Sequence, residues 1–444
     1  MKMTFALGVS CLAWGAAAAS AAGEAKVTFL GDLLCEGPML EAHATEKGWD
    51  FGPTFAGLKP LLAASDYVVA NLETPISDVD ENLTHERWCF CSPRAFAAAV
   101  KDAGVDFVFT ANNHCLDRGP EGVRATIRAL DALGLPHTGT FADPAAADRP
   151  TVVEVKGFRL GILSYTYGSN AFSNNQYLKP EESHLVNFFQ DQELAEPLAR
   201  KWMWNRSCPE ARLYEEMERR RWPENLTLPV YERVASNAVQ RAKFRRDVER
   251  VRALKPDFTV VGMHTGGQRN PEATKWTKEL TGFILGCGAD VVVGTHEHVV
   301  HGFDFSRLGE GKAAVYCLGD CVSQHERKNP PAADPLFATC SVAWHLHLAR
   351  DSRGRARIAR TSFSVLKITA GARKGRVSVA PLHDLWAAET DPAEKAALAA
   401  ELRGAAARFT GRDCSQLPVR PEYFVDAAGA IVEGGVWQTA ADVL

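Results

Sequence analysis

Five short clusters of metal-binding residue types punctuate this chain: Gly31-Asp32, Asn71-Leu72-Glu73, Asn112-Asn113-His114 with Asp117, His264, and His296-Glu297-His298. Carboxylates, an amide carbonyl and neutral imidazoles form a donor set that suits Zn²⁺, Mn²⁺ or Fe, and a bridging acid can hold two such ions about 3.5–4 Å apart. A pair of that kind lowers the pKa of a shared water toward neutrality and clamps the oxygens of a tetrahedral transition state, as hydrolysis of a phosphoester or similar bond requires. Taken singly, each cluster has a plainer reading. Asp32, Asp117 and Asn113 are residue types that cap helices and turns. Glu73, before Thr74-Pro75, could be a solvated acid, His114 a packed core histidine and His264 a turn residue.

Placement decides between these readings. Short β-branched and aromatic runs at 26–30, 67–70, 106–110, 159–163, 258–261, 291–293 and 313–316 predict strands, with helical patterns between them, including 93–103, 120–133, 211–220 and 230–252, and another after them at 392–409. Ser92 and Pro93 are expected to cap and open the first of these helices, and Gly134 to stop the second. The alternation predicts an α/β architecture. All five clusters fall just beyond strand ends, where open α/β sheets place their sites, and together they read as one site. His296 and His298 can share it only if the chain there leaves the regular strand.

The remaining sequence sets boundaries. The chain has 444 residues, 46% hydrophobic, 23% charged and 9% aromatic, which excludes a disordered, collagen-like or polytopic membrane protein. A formal net charge of −4 supplies no overall basic footprint, so nucleic acid is not an expected partner. Lys2, the apolar run 5–19 and Ala19-Ser20-Ala21 form a leader pattern over residues 1–21 with cleavage near Ala21, which predicts a secreted or periplasmic protein. Beyond that leader come Cys35, Cys89, Cys91, Cys115, Cys208, Cys287, Cys317, Cys321, Cys340 and Cys414, at spacings that match no structural zinc site; buried thiols or disulfides are expected. A main unit is expected over 22–368, with a Trp- and Arg-rich helical insertion at 169–250 and a C-terminal extension at 369–444.

The motifs G-D at 31–32, N-L-E at 71–73, N-N-H-x-x-D-x-G at 112–119, H-x-G-G at 264–267, G-x-H-x-H-V at 294–299 and V-Y-x-L-G-D at 315–320 resemble, in order, those of the CapA family. The resemblance spans about residues 26–325. It implies a metallophosphoesterase-like α/β/β/α sandwich, a role in making poly-γ-glutamate capsule, and an anionic polymer or phosphoester-type substrate. By the same resemblance Asp32, Glu73, Asn113, His264, His296 and His298 are the metal ligands, for one or two divalent ions (Mn, Zn or Fe). The resemblance also implies that His114 lies beside the leaving group as acid or charge stabiliser, that Asp117 orients this loop or holds His114, and that attack comes from a metal-bound hydroxide. Membrane-bound capsule-synthesis proteins are the implied partners.

Five positions depart from the pattern, two of them Thr265 and Gln268, where the family carries the Trp and Glu of H-W-G-x-E. Leu34 stands where related phosphoesterases carry the histidine of D-x-H, which implies a poorer ligand set for one ion. That loss favours a competing role, a non-catalytic component that bridges an anionic polymer through metal. Asp320 replaces the Asn of the closing L-G-N and reads first as a turn residue. His301 replaces a Gln and reads equally as a substrate-facing or a surface histidine.

Overall fold

The computed structural model describes residues 23–84, 89–174, 176–190, 192, 235–268, 270–324, 336, 339–370 and 376–432. The leader at 1–21, Cys208 and most of the helical insertion, including its three tryptophans and the expected helix at 211–220, lie outside the described residues. In chain order the first strands are β1 (Glu24–Leu33), a ribbon of β2 (Ala44–Thr45) and β3 (Gly48–Trp49), β4 (Tyr67–Leu72), β5 (Phe107–Phe109) and β6 (His137–Thr138). Then come β7 (Thr151–Val155), β8 (Phe158–Thr166), β9 (Phe258–His264), β10 (Val291–Thr295), β11 (Phe303–Asp304) and β12 (Ala313–Val315). The last are β13 (Asp320–Val322), β14 (Cys340–Arg350), β15 (Ala356–Ala370), β16 (Val377–Pro381), β17 (Tyr423–Val425) and β18 (Ile431–Val432).

The middle group forms a six-stranded sheet in the order β11-β12-β10-β9-β8-β7. The outer groups join into a ten-stranded sheet ordered β18-β17-β15-β14-β1-β4-β5-β6, with β13 paired to β1 and β16 to β15. All seven strands expected from the sequence are present, and β14 and β15 extend the large sheet beyond them.

Strand alternation sorts the side chains into layers, because successive residues point to opposite faces. Val27, Phe29, Val69, Phe107 and Phe109 of the large sheet share one core with Leu160, Ile162, Phe258, Val260, Val291, Val293 and Val315 of the small one. The residues between them point outward. Val68, Ala70 and Val108 pack with Phe96, Val100 and Leu130 of the helices Arg94–Asp102 and Gly119–Leu133. Val261, Met263, Val292 and Ala314 pack with Phe244, Val248 and Val251 of the helix Ala235–Ala253 and Ile284 of Lys275–Gly286. The result is the four-layer α/β/β/α sandwich. Aromatics close the middle layer: Trp344 lies 5.4 Å from Phe29 and 5.9 Å from Phe305, ring centre to ring centre. Burying each such side chain contributes about 1.5–3 kcal/mol.

Local expectations meet the structure unevenly. Gly134, at φ +60°, stops the helix Gly119–Leu133 as expected. Ser92 does not cap its helix: the helix starts at Arg94 with Pro93 at the cap, and the Ser92 hydroxyl instead bonds the Thr74 hydroxyl at 2.9 Å. The stretch after 368 joins the large sheet through β16 and β17, and its helix Pro392–Thr410 adds Leu402, Ala405, Ala406 and Phe409 to the core. Among the described residues Cys35, Cys91, Cys115, Cys287, Cys317, Cys321 and Cys414 are free thiols, all but Cys287 buried.

Candidate metal centre

Strand register gathers the site. In the large sheet β1 runs parallel to both β4 and β13, and Asp32 is the direct neighbour of Asn71 on one side and Asp320 on the other. In the small sheet His264 at the end of β9 is flanked by Thr166 of β8 and Thr295 of β10. Both sets end at the same edge of the sandwich, so two rows of polar side chains meet across it. Gly31 permits the close approach of β1 to the turn before β13, since a Cβ there would stand 1.7 Å from the Gly319 carbonyl oxygen. Beyond β10 the chain leaves the strand, as required, with His296 at φ +101° and His298 at φ +59°. Such left-handed conformations cost a non-glycine residue on the order of 1–3 kcal/mol each and concentrate at functional sites.

The six ligands implied by the resemblance come together, in two groups. One donor atom each from Glu73, His264 and His296 lies within 4.8 Å of the others, and the same holds for Asp32, His298 and Asp320. The Asn113 carboxamide oxygen joins the first group, 2.6 Å from His264 Nε2 and 3.2 Å from His296 Nδ1. Asp32 stands between the groups: its Oδ1 accepts from Asn71 Nδ2 at 2.6 Å and its Oδ2 from the His296 backbone N–H at 2.9 Å. The histidines of H-E-H therefore serve different groups rather than one.

Asp320, expected as a turn residue, is a member of the site. Its Oδ1 lies 2.7 Å from His298 Nδ1, and its Oδ2 accepts from the Ser323 hydroxyl at 2.6 Å. It adds a second carboxylate to the group of Asp32 and His298, while Leu34, where the resemblance leads one to expect a histidine, is buried. His301 is not a surface histidine, being 1% exposed.

The electrostatics are those of a pocket built for cations. Asp32, Glu73, Asp320, His264, His296 and His298 are all at most 3% exposed. Burial, reinforced by Asp320, pushes the Asp32 carboxyl up to about 6, against the opposing pull of His298. Burial and the neighbouring Asp32 push Glu73 well above the carboxylate range. Burial holds His264 and His296 well below an ordinary imidazole, helped by His296 and His298 beside the first and by His298 and His114 beside the second, in the neutral form that ligates metals. Both Glu73 oxygens, Asn71 Oδ1 and Asn113 Nδ2 are buried without a hydrogen-bond partner. Unmet buried polar atoms of this kind cost about 1–3 kcal/mol each, more when charged, and the donor set fits one or two divalent ions. The Thr295 hydroxyl, 2.9 Å from His264 Nδ1, turns Nε2 toward Asn113 and Glu73.

His114 and Asp117 sit beside the ligands. Asp117 Oδ2 lies 2.6 Å from His114 Nδ1, accepts the Phe90 backbone N–H at 2.7 Å, and is followed by the Phe90 ring 4.2 Å from the imidazole. His114 Nε2 faces the half-buried Asn170 at 3.5 Å, and Asn174 donates to Asp117 Oδ1 at 3.2 Å. Tyr167, whose backbone N–H bonds the His264 carbonyl, places its ring 4.6 Å from that of His296. These loop residues carried no motif and were invisible in the sequence. Half-buried Glu36, pushed up to about 7 by burial and Asp320, closes the far side and accepts the Gln324 backbone N–H.

The capsule biosynthesis protein CapA of Bacillus anthracis is 24% identical over 304 residues, covering 67% of this chain and 59% of its own. The PGA biosynthesis protein CapA of Bacillus subtilis strain 168 is 21% identical over 301 residues, 66% of this chain and 62% of its own. A Mycobacterium tuberculosis protein named as a probable polyglutamine synthesis accessory protein is 32% identical over 107 residues, 24% of this chain and 28% of its own. The chain thus spans about three-fifths of the length of the two CapA proteins. The family model described as bacterial capsule synthesis protein PGA_cap matches residues 26–325, which include every ligand described above. The chain belongs to the bacterial capsule synthesis protein family PGA_cap, that of the CapA proteins.

Proposed function

We propose that this protein acts in the metabolism of an anionic capsule or cell-envelope polymer of the poly-γ-glutamate type, as an exported hydrolase dependent on one or two divalent ions. One observation carries the reading: the Glu73 carboxylate is fully buried with neither oxygen hydrogen-bonded, 3.5 Å from His264 Nε2 and beside the Asn113 and His296 donors. A carboxylate so placed is tolerable when a cation meets it. A bound divalent ion would supply Lewis acidity for activating water and for stabilising oxyanion charge.

The chain's own groups supply the rest. Asn71 and the His296 N–H fix the Asp32 carboxylate, and Thr295 fixes the His264 ring. Asp117 Oδ2 accepts a hydrogen bond from His114 Nδ1–H, which leaves Nε2, at the face shared with Asn170, as the nitrogen that would pass a proton to a leaving group. The polymer class rests on the names of the CapA relatives. Export, and docking on membrane-bound capsule-synthesis proteins, rest on the N-terminal pattern and that kinship; no helix among the described residues is long and apolar enough to cross a membrane.

The test is the purified full chain with Mn²⁺ or Zn²⁺ against phosphomonoester, phosphodiester and γ-glutamyl substrates. Sustained turnover that a chelator removes supports the hydrolase. Metal uptake with polymer binding but no turnover replaces it with the bridging role. Absence of metal uptake refutes both.

A further inference from the structure

Between the two histidines of H-E-H stands an acid that belongs to neither ligand group. Glu297 is fully buried, and its side chain is turned elsewhere: Oε1 accepts from the Thr277 hydroxyl at 3.2 Å, and Oε2 lies 3.4 Å from His301 Nδ1, a contact at charge-pair distance that makes no hydrogen bond. His301 is anchored in turn. Its Nε2–H donates to the Asn270 carbonyl at 2.7 Å, which leaves Nδ1 toward Glu297, and its backbone N–H donates to the Cys317 carbonyl at 2.9 Å. On the remaining side the loop after β9 is shaped around the carboxyl. Gly266 adopts φ +130°, and a Cβ there would stand 1.8 Å from Glu297 Oε1.

We propose that Glu297, clamped by Thr277 and His301, is a positioning residue that fixes the left-handed turn carrying His296 and His298 and thereby sets the geometry of both ion groups. The inference rests on the metal-site reading above. Two residues in left-handed conformation on either side of Glu297, His296 and His298, persist only where their surroundings over-determine them. The clamp supplies that restraint from three elements: the loop after β9, the helix Lys275–Gly286 and the segment following His298. His296 belongs with Glu73 and His264, and His298 with Asp32 and Asp320, so slack at residue 297 is felt at both. Groups that orient ligands from behind typically change metal affinity 10- to 100-fold when lost.

The experiment is Mn²⁺ titration of the purified full chain, read by calorimetry and by the Mn²⁺ paramagnetic resonance signal, alongside thermal unfolding of the metal-free protein. Glu297→Ala is expected to weaken every Mn²⁺ site about 10- to 100-fold. Glu297→Gln is expected to stay within about threefold of wild type, because its amide can accept from Thr277 and donate to His301 Nδ1. Thr277→Val, which removes one hydrogen bond and little volume, is expected to fall between them, and it decides the matter if Glu297→Ala does not fold. Asp247→Ala removes a buried acid of the helix Ala235–Ala253; it is expected to lower the unfolding temperature and leave Mn²⁺ affinity unchanged. Wild-type affinity in both Glu297→Ala and Thr277→Val, or weakening confined to one of two sites, overturns the inference alone. A wild type that takes up neither Mn²⁺ nor Zn²⁺ overturns the functional reading and this inference together.

Discussion

Gly31→Ala is the sharpest test of how the strands make the site. The added Cβ would stand 1.7 Å from the Gly319 carbonyl oxygen and 2.8 Å from its carbon. A carbon needs roughly 3.3 Å from such an oxygen, so β1 and the turn before β13 must part by about 1.6 Å. The obstacle is backbone and cannot rotate aside. The Asp32 N–H to Gly319 carbonyl bond, 3.1 Å long, is lost in the separation. That bond is worth about 1 kcal/mol, and forcing a methyl into a filled space costs about 1–3 more, so a destabilisation of about 2–4 kcal/mol is expected in urea or guanidinium unfolding. The same shift draws Asp32 away from Asp320, its neighbour in register, so the affinity of the Asp32, His298 and Asp320 group for Mn²⁺ falls further than that of the group around Glu73. Gly282→Ala, where a Cβ meets nothing within 4 Å, is the control and should be neutral or stabilising by up to about 1 kcal/mol. A Gly31→Ala protein within about 0.5 kcal/mol of wild type, or with both Mn²⁺ sites intact, would refute the account of the site as a product of strand proximity.

Other expectations are more local. His114→Ala should lower any turnover by about 10²–10⁴-fold while metal content by elemental analysis stays unchanged; unaltered activity removes His114 from the chemistry. Asp320→Asn keeps shape and removes charge beside His298, so one Mn²⁺ site should weaken about tenfold or more with the other unaffected, and equal affinities would return Asp320 to a structural role. Asp391 caps the helix Pro392–Thr410 by accepting the Ala393 and Glu394 N–H groups at 2.9 and 3.0 Å. Asp391→Ala should therefore cost about 1 kcal/mol in unfolding free energy, leaving metal binding intact.

Much of the site was legible because strands deliver side chains at predictable points. β-branched runs located β1, β4, β5, β9 and β10, and polar residues after each run meet in the candidate site. Register between distant strands left no such mark. Asp320 sits 288 positions after Asp32, and nothing in L-G-D says that its strand will pair with β1 rather than turn away. Tyr167, Asn170 and Asn174 are similar: they reach His296, His114 and Asp117 through a loop whose path is set by backbone bonds to His264 and Asn187. Ser92 shows the opposite failure, a correct capping residue type captured by a competing hydroxyl on Thr74. The long strands β14 and β15 escaped notice because Ser, His and Arg interrupt their apolar residues; within the large sheet those polar groups bond one another, as His345 does with Thr28 and Ser364.

The division of the chain between two sheets bears on when the protein can chelate at all. Each group mixes donors from both sheets: Glu73 from the large with His264 and His296 from the small, and Asp32 and Asp320 from the large with His298 from the small. Residues 151–315 fold into one sheet while the two flanking stretches must find each other to complete the other. Neither half owns a full coordination set, so a nascent or partly denatured chain has little to capture ions with. An ion held there would rivet the halves together, and its dissociation constant would read out how completely the polypeptide has been assembled.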